Sequence, residues 1–104
     1  MIDLDRIQRQ HQAWTDYNFP NAPTDDSLIG AMEELGELAH AHLKAKQGIR
    51  GNNHESEARD AIGDIIIYLL HYCSTNGWKM SEIIEETWAT VCQRDWKRNS
   101  IDGK

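Results

Sequence analysis

Glu33, Glu34 and Glu37 stand together in the run GAMEELGELAH, and a second acidic set, Glu57, Asp60 and Asp64, follows further along the chain. Residues three and four apart share a helix face, so Glu34 and Glu37 project side by side and repel one another. Glu57, Asp60 and Asp64 keep i, i+3, i+7 spacing and form a second stripe. Asp64 is the sharpest residue of the six, because it lies within Ala61-Ile62-Gly63-Asp64-Ile65-Ile66-Ile67. An ionised carboxylate buried there costs several kcal/mol unless it is paired, protonated or bound to a metal. The chemistry that uses both stripes is divalent-cation binding between two facing helices. Oxygen donors without histidine or cysteine suit Mg²⁺ or Mn²⁺ better than zinc. The bland alternative makes Glu33, Glu34 and Glu57 solvated helix acids and gives Asp64 a lysine or arginine partner.

The elements that must position these acids all read as helices, and no stretch alternates as a strand would. A first helix is expected from about Asp3 to Tyr17, capped by Asp3, with Leu4, Ile7, His11 and Trp14 on one stripe. Asn18-Phe19-Pro20-Asn21-Ala22-Pro23 breaks it, since proline lacks a donor and restricts its predecessor. A second helix opens at Thr24-Asp25-Asp26 and carries Leu28, Met32, Leu35 and Ala39 on one side. Lys44 and Lys46 fill its last turn, and Gly48 is placed as a left-handed stop. After Gly51-Asn52-Asn53 a third helix runs from near His54–Glu57 to just before Asn76-Gly77. Its stretch Ile65 to Leu70 is apolar all round, the mark of a buried helix. The fourth is expected over Met80 to Arg98, with Ser81 as N-cap and Ile84, Trp88 and Val91 turned inward. Asn99 to Lys104 reads as a frayed tail. The fold class is therefore all-α: residues 1–104 form one four-helix bundle-like domain, in which 1–20 is the N-terminal helix and loop.

Composition narrows the function classes. The 104 residues fit one domain, and a chain this short buries only about 60–65% of its unfolded surface. A thin core makes completion by oligomerisation an expectation. The net charge of −6, from 17 acidic and 11 basic side chains, argues against a nucleic-acid duplex as partner. The longest apolar run is far short of the ~20 residues that cross a bilayer, and the N-terminus shows no signal-peptide pattern. Two cysteines, Cys73 and Cys92, make no disulfide framework and fit a cytoplasmic setting.

These residues resemble a known family. Glu33-Glu34-x-x-Glu37 followed by an acidic, aliphatic-rich helix is similar to the MazG-type nucleoside triphosphate pyrophosphohydrolases of the all-α NTP pyrophosphatase superfamily. The likeness extends through His11-x-x-Trp14-x-x-x-Asn18-Phe19-Pro20, Asp60-Ala61-Ile62-Gly63-Asp64 and Thr87-Trp88…Arg94-Asp95-Trp96. The superfamily signature is ExxE, a gap, then ExxD. Here ExxE is Glu34-Leu35-Gly36-Glu37, and Asp64 supplies the final D. The glutamate expected three residues earlier is Ala61; Asp60 adjoins it, and Glu57-Ala58-Arg59-Asp60 satisfies ExxD one turn before.

What the resemblance implies is Mg²⁺-dependent hydrolysis of a nucleoside triphosphate, a dNTP or a non-canonical NTP, to monophosphate and pyrophosphate, a house-cleaning type of activity. It implies metal ligands at Glu34, Glu37, Asp60 and Asp64, with Glu33 and Glu57 behind them. Glu33 or Glu37 would accept the proton of the attacking water. Arg94, Lys97 and Arg98 would meet the β- and γ-phosphates, and Trp14, Phe19 and Trp88 would stack on the base. It also implies a homodimer or homotetramer. A different class remains open beside it: a non-catalytic helical module that binds metal or a partner through its acids. Glu37-Leu38-Ala39-His40 is half of a di-iron motif, but no second copy exists in the sequence. His40 and His42 lie about 200° apart on a helix and cannot share a metal. His54 reads as a solvated loop residue and His71 as a hydrogen-bonded interior histidine.

Overall fold

The computed structural model describes residues 1–23, 25–49 and 53–104. Thr24 and Gly51-Asn52, named above as a helix start and a loop, lie outside the described residues. Four helices follow one another with no strand among the described residues: α1 (Leu4–Asn18), α2 (Asp26–Gln47), α3 (His54–Thr75) and α4 (Met80–Val91). Local chemistry sets most of their ends. The Asp3 carboxylate accepts the Arg6 N–H at 3.1 Å, and the Asn53 side chain accepts the Ser56 N–H at 3.1 Å. Gly48 takes φ 69°, the left-handed conformation that ends α2. His54 is the first residue of α3 rather than a loop residue, and its ring meets the Ile49 carbonyl at 3.0 Å.

α2 and α3 form the principal antiparallel hairpin. Its register is fixed by Ser27 opposite His71 and by Gly30 opposite Tyr68. α1 lies against α3 and the beginning of α4. Leu70, Cys73 and Met80 make the small buried core, with Leu4, Ile7 and Leu69 packed on it. Gln8 ties these parts together: its amide donates to Ser74 Oγ at 3.1 Å and to the Trp78 carbonyl at 2.8 Å. Its Oε1 accepts the Met80 N–H at 3.0 Å.

Several sequence expectations are corrected. α4 stops at Val91, not Arg98, because the Asp95 carboxylate accepts the Arg98 N–H at 3.0 Å and supports a separate turn. Residues 99–104 are not frayed: the Asp95 N–H donates to the Gly103 carbonyl at 2.6 Å, and Gly103 (φ 75°) is buried beside the Trp96 ring. Ser81 does not cap α4; Lys79 holds that position, and Ser81 Oγ donates to Asp5 Oδ1 at 2.5 Å. Ile84, Trp88 and Val91 of α4 face outward rather than inward, and the Leu28, Met32, Leu35 and Ala39 side of α2 is the exposed one. Ile66 and Ile67 are likewise not enclosed by one chain. α2 packs on α3 on the side of Ser27, Gly30 and Ala41, where small side chains allow close approach. Cys73 and Cys92 are both free thiols, and no helix among the described residues is long and apolar enough to cross a membrane.

Candidate functional site

Proline at 20 and 23 turns the chain out of α1, and the turn Phe19–Pro23 leans over the start of α2. The Phe19 N–H donates to the Thr15 carbonyl at 2.7 Å, and Asn18 Nδ2 to the Trp14 carbonyl at 2.9 Å. These bonds fix two aromatic rings beside one another: Trp14 and Phe19 meet edge to face at 5.7 Å between centroids. Together with the start of α2 and the second half of α3 they enclose a cavity of about 490 Å³. That volume lies within the ~300–1,000 Å³ usual for small-molecule sites.

The cavity has two chemically distinct parts. One is aromatic and imidazole: Trp14, Phe19, Tyr68, His11 and His71. His11 stacks on Trp14 at 5.9 Å and meets His71 edge-on at 6.0 Å. Thr15 Oγ1 and His11 Nε2 are 3.2 Å apart, whereas His11 Nδ1 is buried without a partner among the described residues. Burial first, and the charge of His71 second, hold the His11 imidazole below its ordinary value. His71 Nδ1 in turn shares a hydrogen bond with the buried Ser27 hydroxyl. The other part is acidic: Glu34 from α2 and Asp64 from α3, both half-buried.

A second cleft, of about 440 Å³, is lined by Glu33, Gly36, Glu37, His40, Glu57 and Asp60. The two clefts adjoin through α2, where Glu33, Glu34 and Glu37 bring carboxylate oxygens within 4.8 Å of one another. Partial dehydration, then a hydrogen bond with Glu37 and the charges of Glu37, Asp64 and Glu33, hold the Glu34 carboxyl above its ordinary value. Among the described residues the one ion pair within 4.0 Å is His54 with Glu57, so none of them pairs with Glu33, Glu34, Glu37, Asp60 or Asp64 at that distance.

Of the residues singled out from the sequence, Trp14, Phe19, Glu34 and Asp64 share the first cavity. Glu33, Glu37, Glu57 and Asp60 share the second cleft. Trp88 is exposed on α4, and Arg94, Lys97 and Arg98 follow that helix; none of the four lines either cleft. His11, Ser27, Tyr68 and His71 line the cavity without having been assigned to it. One local sign of Tyr68 existed: Gly30 inside a helix costs about 1 kcal/mol against alanine, which marks a close approach. Comparison of the chain with known family models, with curated proteins and with solved structures finds no match among any of the three.

Proposed function

We propose that the protein hydrolyses nucleoside triphosphates, dNTPs or non-canonical NTPs, to the monophosphate and pyrophosphate with Mg²⁺, Mn²⁺ being an acceptable substitute. The observation that carries this reading is the shared cavity: the Glu34 and Asp64 carboxylates edge the same space as the Trp14 and Phe19 rings. Flat rings offer faces to a base, and carboxylates that form no ion pair among the described residues offer hard oxygen donors. The acidic wall alone repels a polyphosphate, so the reading requires that the triphosphate arrive with a divalent cation.

The donor set fits such an ion. Glu34 and Asp64 would hold it on the cavity side, and Glu37 and Asp60 would extend the donors into the adjoining cleft. When bound, Mg²⁺ supplies polarisation of the α-phosphate and a lowered pKa for water. Glu33 or Glu37 accepts a proton from the water whose oxygen bonds to the α-phosphorus. The α,β-bridging bond breaks, and its electron pair leaves with pyrophosphate. Trp14 and Phe19 hold the base end, so that the reacting phosphorus is positioned against the acids.

Incubation of the protein with a panel of canonical and modified dNTPs and Mg²⁺ tests the reading by product identity. Monophosphate and pyrophosphate are expected; inactivity across the panel, or release of orthophosphate, overturns it. Glu37→Gln and Asp64→Asn are each expected to lower turnover at least a hundredfold while the helical circular dichroism persists.

A further inference from the structure

We infer that His71 hydrogen-bonds the base as a donor from Nε2, and that the buried Ser27 hydroxyl is the positioning residue that keeps the proton on that nitrogen. The inference takes its ligand from the nucleotide reading above. Its test uses nucleosides without phosphate, so that either can fail alone.

One face of α3 runs the length of the cavity. Asp64, Tyr68 and His71 all line it, at i, i+4 and i+7. At 1.5 Å of rise per residue, Asp64 and His71 stand about 10 Å apart along the helix. The carboxylate end is where a cation and the phosphates belong. At the other end the rings of His71, His11, Trp14 and Phe19 follow one another, with centroids 6.0, 5.9 and 5.7 Å apart in turn. His71 is therefore the polar side chain of α3 at the aromatic end.

The two imidazoles of the cavity are not equivalent. His11 Nε2 meets Thr15 Oγ1 at 3.2 Å and its Nδ1 is buried, so His11 offers a ring face and no free nitrogen. His71 Nδ1 is engaged by Ser27 Oγ. Its Nε2 has no hydrogen-bond partner among the described residues and is not one of the atoms shut away from solvent. Of the pair, His71 alone keeps a nitrogen for a ligand.

The same hydrogen bond decides which nitrogen carries the proton. Ser27 is 3% exposed, and His71 Nδ1 is the one hydrogen-bond partner of its side chain among the described residues. A buried hydroxyl proton without an acceptor is costly, so Ser27 donates and Nδ1 accepts. The neutral ring then holds its proton on Nε2. A donor at the aromatic end suits a nucleobase edge that presents a carbonyl oxygen or an unprotonated ring nitrogen.

Long-range proton–nitrogen spectra of the full chain with isotope-labelled histidine distinguish a protonated ring nitrogen from a bare one. They are recorded at about pH 7.5, where an ordinary imidazole is neutral, and His71→Gln identifies the His71 signals by their loss. In the unaltered protein His71 should be protonated at Nε2 and bare at Nδ1; the reverse tautomer overturns the proposal. Ser27→Ala should give a mixture of the two tautomers, and an unchanged spectrum removes the role of Ser27. Titration with the four deoxynucleosides should move the Nε2 signal, saturably, for at least one base. A signal that stays in place with all four, or moves equally with deoxyribose alone, overturns the proposal. His71→Phe keeps a flat ring without a donor and should weaken nucleoside binding about tenfold. His71→Gln, which keeps both a donor and an acceptor, should restore part of that loss. An Nε2 shift in a protein that hydrolyses no triphosphate upholds the base contact and overturns the catalytic reading; hydrolysis without the shift does the opposite.

Discussion

The Tyr68 ring lies across Gly30, so closely that a methyl group at position 30 would stand 2.5 Å from ring atoms Cε1 and Cζ. This contact sets both the α2–α3 distance and one wall of the cavity. Gly30→Ala adds about 1 kcal/mol of helix propensity but forces the ring to swing away, and overpacking of this kind costs about 1–3 kcal/mol. The net expectation is a loss of about 1 kcal/mol by chemical denaturation. Tyr68→Ala removes the ring, so Gly30→Ala made in that background should be neutral or stabilising. Additive effects in the double variant would mean that the ring and the glycine do not constrain one another.

The acids of α2 destabilise the chain without metal. Glu34 binds its proton more tightly in the folded state than in the unfolded one, since its carboxyl is held above the ordinary value. Stability is therefore present below the ordinary carboxylate range and is lost as pH rises through the folded pKa of Glu34. Glu34→Gln should raise the melting temperature in metal-free buffer at neutral pH. Millimolar Mg²⁺ should raise that of the unaltered protein by several degrees and that of the variant much less. A Mg²⁺ response that survives Glu34→Gln would take Glu34 out of the donor set.

His11 gives the opposite slope at higher pH. Burial and the charge of His71 lower its pKa from 6.5, so the unfolded chain takes up the proton first as pH falls. Its effect on stability is absent well above pH 6.5 and grows as pH drops below that value toward the folded pKa. Melting temperatures measured between about pH 7.5 and 5.5 should fall less steeply for His11→Gln than for the unaltered protein. Parallel curves would show that His11 does not carry this dependence.

Local signals were legible from the sequence wherever one residue sets the backbone. Asp3 caps α1, Gly48 ends α2, and the prolines at 20 and 23 separate the first two helices. The direction in which α2 turns was not legible. Leu28, Met32 and Leu35 form the apolar stripe that a single chain is expected to bury, yet the side of Ser27, Gly30 and Ala41 faces α3. Periodicity locates an apolar face but does not say which neighbour it meets. The end of α4 was missed for a different reason: the Asp95 side chain competes for the Arg98 N–H, and nothing in the periodic pattern records that choice. In the candidate site the acids announce themselves by spacing. The Ser27–His71 and His11–His71 contacts join distant parts of the chain and come only with the register of the helices.

Gln8 is the polar residue on which the position of α4 depends. Its side chain, 8% exposed, makes three hydrogen bonds, to Ser74 Oγ, the Trp78 carbonyl and the Met80 N–H. Gln8→Ala would leave the Met80 N–H buried without its partner. An unsatisfied buried donor costs about 1–3 kcal/mol, and loss of the companion bonds brings the expected destabilisation to about 2–4 kcal/mol. Because these bonds hold the loop into α4, hydrogen exchange at the Met80 amide should accelerate more than exchange within α2. A loss below about 0.5 kcal/mol would show that solvent replaces these bonds freely and that apolar packing alone orients α4.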